Sequence, residues 1–121
     1  MIRVKLFLFT ESDIKMTNTL CNGRVKNNNP KSPIQYFELV TVREFSDYEG
    51  GTIIEEIKSA EHFLDTEEEA LDDPFYQIYG IMYPDRVGLK GTTFLGEFYS
   101  LEKAKTFLFD LTGEIPEIIS Y

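Results

Sequence analysis

The chain has 121 residues, 42% of them apolar and 27% charged, which suits one globular domain whose core needs no covalent staples. One histidine, one cysteine and no tryptophan exclude an intrachain disulfide and a four-cysteine zinc site, and Cys21 fits a reducing compartment. With 21 acidic against 12 basic side chains the net charge is -9, a balance that repels nucleic acid and attracts basic partners.

In chain order, residues 2–9 are aromatic and aliphatic over a short run and predict a strand. Arg3 and Lys5 interrupt the run. It is too short to span a membrane and lacks the cleavage site of a signal peptide. Residues 10–33 hold Asn18, Asn22, Asn27, Asn28 and Asn29 with Pro30 and Pro33, which predicts a long polar loop. Within it, Asn22-Gly23 is a tight-turn pair flanked by Leu20 and Val25.

Residues 36–43 are β-rich, residues 47–51 form a turn, and residues 52–64 open on Ile53, Ile54 and Ile57 and read as a long strand. Thr66 with Glu69 three residues on predicts a capping box, with a helix from Thr66 that ends before Pro74. A second group follows. Strands over 75–83 and 91–99 flank a loop at 84–88, with Phe94 and Phe98 assigned to one side. A helix from Ser100 places Leu101, Ala104, Leu108 and Leu111 on one face with Phe107 beside them. Gly113 suits its C-terminal cap and Pro116 blocks continuation.

These elements predict an α+β fold: a two-layer sandwich of a mainly antiparallel sheet, about five strands, with two helices on one face. The division is an N-terminal strand (1–9), a polar loop (10–33), two tandem ββα units (34–73 and 74–113) and a tail (114–121), all in one domain. The N-terminal strand is the fifth strand in this scheme.

Motifs for chemistry are scarce. His62 has Glu61 and Asp65 nearby, but on a strand neighbouring residues face opposite ways. Cys21 lacks a base in its own segment. The carboxylate runs match no calcium loop, and no phosphate loop, dinucleotide fingerprint or nucleophile elbow occurs. The expectation is therefore no catalytic residue, no metal and no cofactor.

Charge is the informative feature. Residues 1–43 carry seven basic and three acidic side chains, whereas 44–73 carry twelve acids and Lys58 as the one base. The expected function is that of a non-enzymatic, cytoplasmic binding protein that regulates or inhibits a macromolecule with a basic surface. In its sharpest form it is a nucleic-acid mimic that blocks a basic groove of a host nuclease or DNA-binding protein. The expected partner-binding residues are Asp47 and Glu49 in the turn, Glu67 and Glu68 at the helix start, and Asp72 and Asp73 at its exit. Direct nucleic-acid and membrane binding are not expected, and a homodimer is compatible with the pattern. The alternatives are an accessory or structural subunit that docks through sheet edges and tyrosines (ten Phe and seven Tyr are available), or a small enzyme or ligand-binding domain whose site only tertiary structure assembles.

Overall fold

The computed structural model describes residues 18–114 and 116. The expected N-terminal strand over 2–9 and most of the tail lie outside the described residues. The elements are β1 (Gly23–Lys26), β2 (Ile34–Ser46), β3 (Thr52–Ile57), α1 (Ala60–Asp65), β4 (Phe75–Met82), β5 (Thr92–Phe98) and α2 (Leu101–Thr112). They form a five-stranded antiparallel sheet with two helices on it, an α+β fold.

β2 is the spine. One of its edges pairs with β4 from Ile34 to Val42. The other edge is shared: β1 pairs with Tyr36 to Leu39, and β3 with Thr41 to Ser46. Asn22 bridges the joint between β1 and β3. Its Oδ1 accepts the Thr41 N–H at 2.7 Å and its Nδ2 donates to the Ile57 carbonyl at 2.8 Å. An asparagine side chain offers one donor group and one acceptor like a peptide, and here it replaces a missing rung of the ladder. The expected Asn22-Gly23 turn is therefore corrected: Gly23 begins β1.

The rest of the Asn-rich segment behaves similarly. Asn18 donates to the carbonyls of Pro74 and Tyr99 and accepts from the Leu101 N–H. Asn27 donates to the Ile34 carbonyl. Leu20, Cys21 and Val25 are buried between these ties. The segment from 18 to 33 is thus an ordered strap that contributes a strand, not a long loop. Buried backbone groups require partners, and the asparagines supply them.

Odd-numbered residues of β2 face the helices. Phe37 and Leu39 join Cys21, Val25, Tyr76, Ile78 and the α2 residues Leu101, Ala104 and Leu108 in the main core. Ile57, Leu20 and Phe63 of α1 form a smaller cluster on the same face. Phe107 packs partly against the core, but Leu111 is 47% exposed and does not face the sheet as expected. The α2 caps follow expectation. Ser100 Oγ accepts the Lys103 N–H, and Gly113 at φ 79° returns its N–H to the Phe109 carbonyl.

Three further corrections have local causes. The strand predicted over 52–64 stops at Ile57, because Ser59 caps a short helix and its Oγ accepts the His62 N–H. His62 is therefore helical, and the opposite-face argument for Glu61 and His62 does not apply. Thr66 closes that helix where it was expected to open one, and residues 67–69 are turns. Finally, a bulge shifts the β4–β5 register between Ile78 and Tyr79. Phe98 consequently packs on Phe107, while Phe94 meets Tyr79 on the other face. After β1 the element order runs ββα, ββα, but the unlike helices and the loss of the Thr66–Ser100 correspondence leave no closer repeat.

Candidate functional site

The six residues expected to bind a partner all lie at the end of the sheet where β2 finishes and β4 starts. Asp47 and Glu49 occupy the β2–β3 turn. Asp47 Oδ1 accepts the N–H groups of Glu49 and Gly51 at 2.8 and 2.9 Å, and these bonds hold its carboxyl below the usual carboxylate range. Glu67 and Glu68 sit in the turns after α1, and Asp72 and Asp73 on the approach to β4. The Leu71 N–H donates to the Glu44 carbonyl at 2.9 Å and ties this connection to the end of β2. Between the turn and the connection lies a cleft of about 210 Å³ lined by Phe45, Ser46, Tyr48, Ile53, Glu55, Thr66 and Glu69. The expected acids surround this region, but its own carboxylates are Glu55 and Glu69. Tyr48 on its rim is 96% exposed and has a positive φ of 66°.

A second surface was not expected as a unit, although docking through tyrosines was among the alternatives. Even-numbered β2 residues point away from the helices, and there Val40, Val42 and Phe75 form a buried cluster with Tyr79 packed against it. Tyr99 stacks on Phe75 with ring centroids 5.1 Å apart, and Phe94 meets Tyr79 edge-on at 5.6 Å. Carboxylates flank this aromatic patch. The register sets Glu56 beside Val42 and Glu97 beside Gln77, with Glu44 further along β2.

One hydrogen-bonded chain organises the patch. Tyr79 donates to Gln77 Oε1 at 2.6 Å, Gln77 Nε2 donates to Glu97 Oε1 at 3.1 Å, and Tyr99 donates to Glu97 Oε2 at 2.5 Å. Burial raises the Tyr79 phenol pKa, with Glu56 and Glu97 adding to it. For Tyr99 the bond to Glu97 is the main cause, followed by burial and the charges of Glu97 and Glu44. The negative charge is therefore felt across the aromatic surface. Such a surface suits a lysine or arginine head, which gains from both a carboxylate and a ring face.

These shifts give a measurable expectation. In an ultraviolet titration both phenols ionise above the ordinary tyrosine value of about 10. Glu97→Gln removes the Tyr99 acceptor charge and should bring that titration down. For Tyr79 the folded pKa exceeds the unfolded one, so its contribution to stability is present below about pH 10 and is lost as pH rises through the folded pKa. A Tyr99 titration unmoved by Glu97→Gln would mean that the bond does not persist in solution.

The remaining reactive groups do not assemble. Cys21 is buried under the sheet, and burial pushes its thiol pKa up against a smaller opposing effect from Lys105, which keeps it protonated and a poor nucleophile at neutral pH. Among the described residues no group of three or more His, Cys, Asp or Glu side chains is placed to hold a metal ion. Nor is any described helix long and apolar enough to cross a membrane. Sequence reasoning missed the patch because its signal is a period of two spread over four strands, and only the pairing register shows which residues share the face. Comparison with known proteins returned no matching family model, no matching curated protein and no matching solved structure.

Proposed function

We propose that this chain is a non-enzymatic binding protein that docks on a basic protein surface through the carboxylate-flanked aromatic face and the acidic end beside it. The observation that carries the reading is the placement of Glu44, Glu56 and Glu97 around Tyr79 and Tyr99, with Glu97 held directly against the Tyr99 hydroxyl. Aromatic anchors supply affinity, and surrounding charge supplies orientation and association rate. The narrower form is inhibition in the cytoplasm by nucleic-acid mimicry, in which the acids of 44–73 occupy a partner's basic groove.

A second reading has its own support. Among the described residues β5 pairs with β4 on one edge and has no strand on the other. A subunit that adds a strand there would bind through backbone hydrogen bonds. Salt separates the two readings. For a partner recovered by affinity capture, electrostatic docking should weaken at least about tenfold between low and moderate salt. Glu44→Gln/Glu56→Gln/Glu97→Gln should slow association and flatten that dependence. Salt-independent capture that the triple variant leaves unchanged would sink acidic docking in favour of edge pairing.

A further inference from the structure

We propose that this chain associates with copies of itself head to tail, with the β4–β5 loop of one copy seated in the cleft at the opposite end of the next. The cleft belongs to the acidic end of the proposed docking surface, but Arg86, Val87, Leu89 and Lys90 of the loop have no part in that docking, so variants of the loop separate self-association from it.

The loop between Met82 and Thr92 is held by its own hydrogen bonds. Asp85 Oδ1 accepts the N–H groups of Val87 and Leu89, both at 2.9 Å. The Asp85 N–H donates to the Leu89 carbonyl and the Gly88 N–H to the Asp85 carbonyl. Gly88 has φ 84°, a conformation that a side chain would strain. The loop's acid is thus committed to its own backbone. What the loop presents is apolar and basic: Val87 is 75% exposed and Leu89 is 67% exposed, with Arg86 and Lys90 beside them in the chain. Lys90 Nζ lies 5.9 Å from the Tyr36 ring centre, and the Arg24 guanidinium lies 5.4 Å from the same ring. Arg24 is paired with Glu38 at 3.2 Å.

The cleft has the complementary character. Phe45, Ile53 and Tyr48 give it apolar walls, and Glu55 and Glu69 give it negative charge. Loop and cleft lie at opposite ends of the sheet. Ile34 at the start of β2 pairs with Met82 at the loop, whereas Ser46 at its end pairs with Thr52 beside the cleft. Thirteen residues of β2 separate the two by roughly 40 Å at about 3.3 Å per residue. A copy therefore cannot fill its own cleft with its own loop. Two exposed aliphatic side chains on a stiff loop lose little freedom on docking, and Arg86 and Lys90 meet Glu55 and Glu69. Because the two surfaces differ, the contact is heterologous: two copies leave one loop and one cleft unfilled, and the assembly grows with concentration.

The test is sedimentation velocity on the full chain over a range of concentrations at low and at high salt. The native chain should show mass rising with concentration, and high salt should weaken the association at least about tenfold. Arg86→Glu/Lys90→Glu disables the loop, and Ile53→Lys/Glu69→Lys disables the cleft. These positions are exposed, and circular dichroism checks that each variant folds. Either variant alone should be monomeric. Val87→Ser/Leu89→Ser provides a charge-neutral variant, which should also stay monomeric. Val87→Ser/Leu89→Ser mixed one to one with the cleft variant should form a dimer and nothing larger, since the first retains a working cleft and the second a working loop, while the Arg86 and Lys90 kept by the first are repelled by the lysines of the altered cleft. A native chain that remains monomeric at millimolar concentration and low salt overturns the proposal, as does a mixture that fails to pair. Binding of the monomeric native chain to anionic phosphatidylserine vesicles, abolished by the loop variant, would overturn it in favour of a membrane-facing loop.

Discussion

Leu108→Ala should lower the stability of the fold by about 2–5 kcal/mol in denaturant unfolding. Leu108 is fully buried at the centre of the contact between α2 and the sheet, with Leu101 and Ala104 on the same helical face. Leu39, Tyr76 and Ile78 belong to the same cluster from the strand side. Truncation removes buried methyl groups and leaves a hole that rigid strands cannot collapse to fill, so the transfer and cavity costs add. Leu111→Ala serves as the control. It lies on the same helix but is about half exposed, and its loss should be under about 1 kcal/mol. Equal effects at the two positions would mean that the helix does not sit on the sheet as described.

Arg43→Ala should be comparably severe, at about 3 kcal/mol, for a different reason. Arg43 is 4% exposed on the helix-facing side of β2. Its Nη1 donates to the Phe63 carbonyl at 2.5 Å and to Thr66 Oγ1 at 2.9 Å, and the guanidinium lies 4.1 Å from the Phe63 ring centre. A cation at the C-terminal end of a helix satisfies exposed carbonyls and the negative end of the dipole. α1 has only six residues, too few to be stable by itself, so this anchor and Phe63 decide whether it forms. Hydrogen bonds to a charged group are worth about 1.5–3 kcal/mol each when removal strands the partner. Arg43→Lys retains charge without the planar fork and should recover only part of the loss. A loss below about 1 kcal/mol for Arg43→Ala would show that α1 is held by apolar packing alone.

The parts of the fold that sequence reasoning recovered are those with a strong local signal. α2 has a serine cap and a glycine stop where expected, and its apolar face holds at Leu101, Ala104 and Leu108 but not at Leu111. The β-rich runs of β2, β4 and β5 carry the residues that suit a pleated, half-buried surface. Failures occur where a local signal has two physical readings. Ile53, Ile54 and Ile57 continue a strand pattern, yet a helix as short as α1 has too few turns to impose a period of its own. Thr66 followed by Glu69 fits a helix start, but the Thr66 hydroxyl donates to the His62 carbonyl at 2.8 Å and serves a helix end. Asparagines read as loop residues because they are polar, and here that polarity completes the ladder. The density of acids in 44–73 was legible, but their gathering at one end of the sheet was not, because it depends on the Leu71–Glu44 tie between distant segments. The aromatic face was not, because Val42, Phe75 and Tyr99 become neighbours only through pairing.

The ties made by Asn18 and Asn22 also govern when this fold can be completed. Asn18 reaches Pro74, Tyr99 and Leu101, the last 83 residues further along the chain. Asn22 reaches Thr41 and Ile57. On the ribosome Asn18 emerges 81 and 83 residues before the groups that satisfy it at Tyr99 and Leu101, which are among the last of the described residues to be made. Such distant pairings carry a loop-closure cost that must be met before any contact compensates for it. The start of α2 therefore reaches its final arrangement only once residues up to Leu101 have emerged, whereas the Asn22 bridge needs the chain only as far as Ile57. Until Ile57 has emerged the edge of β2 lacks the Asn22 bridge, and it stays open to pairing with other nascent chains.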